Sequence, residues 1–182
     1  MMQPLSPDHP LRRLFSGAVQ QALYVDVGIC DPQIADYLTD MLSSLVHVNE
    51  LYPFHDATGR RLVSLAEWLT ETELQQNASS KQRQRIIHKH IGDFSLFWTG
   101  LIPEGLRRLE SAGAGDRMSD FLRQGKKSYL IASALTADNE EPPATVLHRL
   151  SSQFEYCVHG LNLCRRGWGE VRPRIPGNQP ES

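Results

Sequence analysis

Cysteine is scarce in this chain, and neither sign of charge dominates it. The three cysteines, Cys30, Cys157 and Cys164, are odd in number and show no CxxC spacing. That argues against a disulfide framework and against a cysteine-based zinc site. Cys157 and Cys164 stand seven apart in a helical pattern, share a face, and read as small buried hydrophobes. Long apolar runs are also missing. The longest uncharged one, Phe94 to Ile102, falls far short of the roughly 20 residues of a spanning helix. The opening MMQPLSPDHPLRR lacks the apolar core of a signal peptide, so the expected location is cytoplasmic. A formal net charge of −2 exerts no overall pull toward nucleic acid or anionic membranes. GxGxxG, GxxxxGK[ST], GxSxG, HExxH and the EF-hand loop are all absent. The familiar nucleotide-binding, hydrolase, zincin and calcium readings therefore have no motif to stand on.

What is present is the material of one globular domain. The 182 residues are 40% apolar and 22% charged, a composition that can build a core and does not predict disorder. Charge is uneven along the chain. Residues 1–80 carry four Lys/Arg against ten Asp/Glu, whereas residues 81–182 carry fifteen against eleven. The asymmetry fits either a partner surface or two halves that attract each other on folding.

Apolar spacing of 3, 4 and 7 recurs and predicts six helices. The first shows Leu11, Leu14, Phe15, Ala18, Val19, Ala22 and Leu23 on one face, with Gly28 as its stop. Asp31-Pro32 opens the second, whose stripe is Ile34, Leu38, Met41, Leu42, Leu45 and Val48. The third buries Leu62, Leu65, Ala66 and Leu69, and the polar QQNASS of 75–80 follows as a loop. The fourth, about 80–102, turns apolar on both faces from Phe94, so Phe94, Phe97, Trp98 and Leu101 are expected in the centre of the fold. A further short helix is expected from Pro103 to Glu110 before the SAGAG break. The fifth carries Met118, Phe121, Leu122, Tyr129 and Ala132, and the sixth runs from Pro143 through Leu147, Leu150, Phe154, Cys157, Val158, Leu161 and Cys164. No stretch alternates like a strand and no repeat occurs. The expected architecture is an all-α, single-domain bundle over 11–166, with a buried central helix and tails at 1–10 and 167–182.

Titratable residues offer three candidate sites. His90 and Asp93 lie three apart on the fourth helix, on the same face and beside the apolar stripe. They read either as a metal or acid–base pair, with His88 as a substitute ligand, or as a buried histidine satisfied by Asp93 or a carbonyl. Glu155 and His159 line up with His148 along the sixth helix. If that helix packs on the fourth, His90, Asp93, Glu155 and His159 would form a set suited to iron, manganese or zinc. Against this, di-iron bundles use Glu-x-x-His pairs, and none occurs here. His47 with Glu50, and Glu67 with Glu71, read as helix-face pairs. The third candidate is basic: Lys81, Arg83, Arg85, Lys89, Arg107, Arg108, Arg123, Lys126, Lys127, Arg165, Arg166, Arg172 and Arg174. No aromatic residues interleave with these charges and no helix-turn-helix pattern accompanies them, so nucleic acid is not the expected partner.

The stretch HKHIGDFSLFWTGLIPE, residues 88–104, resembles the central segment of a group of uncharacterised bacterial soluble helical proteins. DPQIADYLTDML at 31–42, RQGKKSYLIAS at 123–133 and RLSSQFEYCVHGLNLCRR at 149–166 are similar to the same group, so the likeness spans most of 11–166. It implies a bacterial source and a shared fold, and no activity. The leading expectation is a non-enzymatic helical interaction or regulatory protein, with another protein or a second copy of itself as partner. The alternative is a metal- or cofactor-dependent enzyme built around His90, Asp93, Glu155 and His159.

Overall fold

A computed structural model describes residues 6, 8–45, 53–55, 58–60, 65–74, 81–106 and 118–170. Helix α1 spans Pro10–Gln20. Proline at its first turn loses no hydrogen bond, and His9 caps it by accepting the Leu11 N–H on Nδ1 at 3.2 Å. The chain continues as a π-helical segment, Gln21–Val27, and stops at Gly28, whose φ of 84° suits glycine. Helix α2 is Pro32–Leu45. Asp31 caps it as expected, its Oδ1 accepting the N–H groups of Gln33 and Ile34 at 3.1 and 3.3 Å. Helices α3 (Leu65–Leu74), α4 (Lys81–Leu101), α5 (Met118–Leu135), α6 (Ala144–Ser152) and α7 (Phe154–Glu170) follow.

The fold is all-α, with eight helical elements among the described residues rather than six. One addition is the π-helical extension of α1. The other comes from a break in the expected sixth helix at Gln153, whose φ of −108° and ψ of 20° lie outside the helical range. Two serines precede the break. Ser152 donates its hydroxyl to the Arg149 carbonyl at 3.1 Å, a local side-chain bond of the kind that loosens a helix end, and Ser151 donates to the Lys126 carbonyl of α5 at 2.8 Å, tying α6 to α5. Helix α7 runs to Glu170, past the boundary expected at Arg166, and Trp168 packs its ring on Phe15 at 5.3 Å. Residues 103–106 are helical, as expected, and the expected continuation to Glu110 lies outside the described residues, as do Val48 and Leu62.

Helix α4 is central. One side joins a large apolar cluster built from α1, the π segment, α2, α5, α6 and α7; the other joins a smaller one with Leu65, Trp68, Leu106 and Phe121. Phe94 and Phe97 are buried as expected, while Trp98 and Leu101 are half-buried and Trp98 touches both clusters. Two expected core positions face out: Leu14, 54% exposed, and Ala66. The inward place on α3 is taken by Trp68, which is fully buried.

The most extensive helix pair is α4 with α5, and glycines set its closeness. A Cβ on Gly92 would stand 2.6 Å from the Tyr129 ring, and one on Gly125 would stand 2.5 Å from Phe154 and 2.7 Å from Ser95. Bare backbone at Gly92 lets the tyrosine ring lie flat on α4, one residue from Asp93. Among the described residues, no helix is long and apolar enough to cross a membrane.

Candidate functional site

A cavity of about 560 Å³ opens between α2, α4 and the segment that leads into α6. Helix α2 contributes Gln33, Asp36, Tyr37, Asp40, Met41, Ser44 and Leu45 at helical spacing, so that one face of the helix forms a wall. Helix α4 contributes Lys89, His90 and Asp93, and the opposite rim is made of Glu141, Pro142, Pro143 and Val146.

Asp93 anchors the site. It is 6% exposed and takes three hydrogen bonds from three different places in the chain. Tyr129 of α5 donates its hydroxyl to Oδ1 at 2.7 Å, Tyr37 of α2 donates to the same oxygen, and Lys89, one turn earlier on α4, donates to Oδ2 at 2.7 Å. A carboxylate removed from water needs such partners, because an uncompensated buried charge costs several kcal/mol. The same proximity acts on the phenols. Burial and the neighbouring Asp93 charge push both Tyr37 and Tyr129 well above the ordinary tyrosine value, so each keeps its proton and stays a donor. The Lys89 ammonium sits 5.2 Å from the centre of the Tyr37 ring, in cation–π range.

The rim is fixed from below by Arg85, which is 4% exposed. Its Nε donates to Thr136 Oγ1 at 2.8 Å and lies 3.2 Å from a Glu140 carboxylate oxygen, while Nη2 donates to the carbonyls of Glu141 and Pro142 at 3.0 and 3.1 Å. The rigid fork of donors on a guanidinium suits such a multi-point hold. Two further ion pairs stand around the mouth. Arg12 donates to Asp40 at 2.7 Å, and Arg149 pairs with Asp31 at 2.7 Å and donates to the Gln33 side chain.

Of the residues singled out by sequence, His90 and Asp93 both reach this cavity. His90 is half-buried, its ring 5.1 Å from both Phe54 and Trp68. Glu155 and His159 are not brought to them. Both are exposed on α7, and Glu155 accepts from Lys126 at 2.9 Å, a contact that lowers its pKa. His148 is exposed on α6. His88, the substitute ligand, is buried beside Ser128 at 3.4 Å, and desolvation, with Lys127 nearby, pulls its pKa down to about 4. Among the described residues, no group of three or more His, Cys, Asp or Glu side chains stands close enough to hold a metal ion. The reason is rotational. Asp93 turns toward α2 and α5, whereas Glu155 and His159 occupy the solvent face of α7. His47 and Glu50 lie outside the described residues.

Among the described residues, several of the basic groups are drawn to separate acidic partners or buried, while Arg107, Arg108, Arg172 and Arg174 lie outside the described residues. Arg85 is internal, Lys89 is bound to Asp93, Lys126 to Glu155 and Arg165 to Glu104. Arg149–Asp31 and Arg83–Glu71 join the basic and acidic halves of the chain. Cys157 and Cys164 are buried, with thiol pKa values pushed up to about 12, which fits their reading as apolar fillers. Comparison of the chain with family profiles, characterised proteins and solved structures gives no match.

Tyr37, Tyr129 and Lys89 were missed as members of the site. A signal existed for Lys89, which stands four residues before Asp93 and so faces it on a helix. The tyrosines come from helices 56 and 36 residues away, and local spacing carries no trace of them.

Proposed function

We propose that this chain is a non-enzymatic helical regulatory protein that binds a small ligand in the cavity between α2 and α4. We infer that it works in the cytoplasm and acts on another protein or on a second copy of itself. One observation carries the reading: the buried carboxylate of the cavity, its lysine and Asp40 on the α2 wall are already committed. Asp93 has three donors, Lys89 is held by Asp93, and Asp40 is held by Arg12. A catalytic base needs a free lone pair within reach of a substrate proton. Asp93 instead spends its lone pairs on tying α2, α4 and α5 together. Such a carboxylate gives a binding site stiff walls and offers little to a reaction.

A cavity built on rigid helices and walled by Met41, Leu45 and Val146 with a few polar groups has the make-up of a ligand pocket. The test is a thermal-shift screen of charged and neutral small molecules on the full chain, repeated on Ser44→Trp, which fills the cavity from its half-buried α2 wall. Compounds that bind there raise the melting temperature of the parent and not of the variant, and mass spectrometry recovers them unchanged after long incubation. Shifts that survive Ser44→Trp, or a hit converted to product by the parent chain, sink the proposal.

A further inference from the structure

The chemistry of the same cavity says what kind of ligand would fit. Its lining holds four carboxylates, Asp36, Asp40, Asp93 and Glu141, and a single lysine, Lys89. Arg12 neutralises Asp40 and Lys89 neutralises Asp93. Arg85 and Arg149, the other cations near the mouth, are committed to Glu140 and Asp31. Asp36 on the α2 wall and Glu141 on the opposite rim are exposed, and neither has an ionic partner among the described residues. The empty space therefore faces two uncompensated negative charges and no uncompensated positive one.

The cavity also shows how it seats an ammonium group. The cavity already holds one alkylammonium group, the end of Lys89. It is seated by a carboxylate oxygen at 2.7 Å and by the Tyr37 ring at 5.2 Å. A carboxylate with an aromatic face is the combination that recognises ammonium ligands in general. The lining also includes the apolar side chains of Met41, Leu45, Pro142 and Val146, which suit a chain of methylene groups.

We propose that the cavity between α2 and α4 binds an aliphatic amine, its methylene body on the Met41–Val146 wall and its ammonium ends toward Asp36 and Glu141. This rests on the ligand-binding reading above and adds the class of ligand. No bond is made or broken.

The test is calorimetric titration of the full chain at low ionic strength with 1,5-diaminopentane. Glutarate and 1,5-pentanediol serve as probes of the same length and different charge. The diamine binds once per chain, and the diacid and diol do not. Asp36→Asn and Glu141→Gln each weaken it two- to fivefold, as expected for exposed charges. Ser44→Trp abolishes it, and raising the salt weakens it. Both charge variants alter exposed side chains and leave the core untouched. Diamine binding that persists in Ser44→Trp would be general surface attraction and overturns the proposal. So does an absence of diamine binding. If glutarate or the diol binds and Ser44→Trp removes it, the amine assignment falls while the ligand-binding reading stands. That reading falls separately, if the thermal-shift screen yields no compound sensitive to Ser44→Trp or a hit is converted to product.

Discussion

Removing the hydroxyl of Tyr129 changes the stability of this protein in a way that depends on pH. Near neutrality Tyr129→Phe deletes one of three hydrogen bonds to a buried carboxylate, and bonds to charged groups contribute about 1.5–3 kcal/mol each. Tyr37 and Lys89 remain on Asp93, so the loss should sit toward the lower end of that range. The alkaline behaviour is more specific. In the unfolded chain a tyrosine ionises near its ordinary value of 10.0, while in the native state burial and Asp93 hold Tyr37 and Tyr129 well above it. Above pH 10 the native state thus binds more protons than the unfolded one, and stability falls as pH rises. The contribution is fully present below about pH 10 and is lost as pH climbs through the raised native values. Each phenol adds about 1.4 kcal/mol per pH unit to that fall, and the pair about 2.7. Urea unfolding at pH 8, 9, 10, 10.5 and 11 measures it. The gap between the parent and Tyr129→Phe should be constant up to about pH 9.5 and then narrow by about 1.4 kcal/mol per unit. A gap that stays constant to pH 11 would refute the claim that Asp93 holds a protonated phenol.

Acid should act through His88, whose native value of about 4 lies below the ordinary 6.5. Its neutral form is favoured in the native state, so the stability it contributes is present above pH 6.5 and is lost as pH falls toward 4. Replacing His88 with Gln should flatten unfolding free energy against pH in that window, as read by denaturant titration. Gly92→Ala puts a Cβ 2.6 Å from the Tyr129 ring and should cost about 1–3 kcal/mol in chemical denaturation, although alanine is the better helix former. Gly17→Ala on α1, with nothing within 4 Å, should instead stabilise by about 0.5–1 kcal/mol, and destabilisation there would contradict the packing described. Arg85→Met should release residues 136–143 from their shared guanidinium and destabilise by about 3–5 kcal/mol, since Glu140 loses its partner. Faster amide exchange confined to that segment is the signature, and unchanged protection there would sink the claim.

Much of the fold was legible because helical periodicity is a local signal. The stripe of α2, the Asp31 cap, the Gly28 stop and the central place of α4 all follow from spacing within a few turns. The Gln153 break was not legible, because the apolar stripe of Leu147, Leu150, Phe154 and Cys157 runs on across it. Leu14 and Ala66 lie on the correct stripes yet face out, since a stripe is wider than the partner it meets. For the site, sequence pointed to His90 and Asp93, and both line the cavity. It paired Asp93 with the wrong helix. Rotation of α7 about its axis decides whether Glu155 and His159 meet α4 or water, and periodicity fixes that angle only to within one residue. Of the tyrosines that hold Asp93, Tyr129 is bulky and partly apolar and by pattern counted as core, and Tyr37 stands outside the apolar stripe of α2.

The placement of α3 has a bearing on how the molecule breathes. Among the described residues, this helix packs substantially on α4 alone, through the smaller of the two apolar clusters. The Tyr37–Asp93–Tyr129 knot lies on the other side of α4 and draws nothing from α3. Lifting α3 therefore uncovers Trp68, Phe94 and one flank of His90 without loosening the knot. Among the described residues, α4 thus carries the knot on one side and α3 on the other, and His90 stands between them, lining the cavity while its ring meets Phe54 and Trp68.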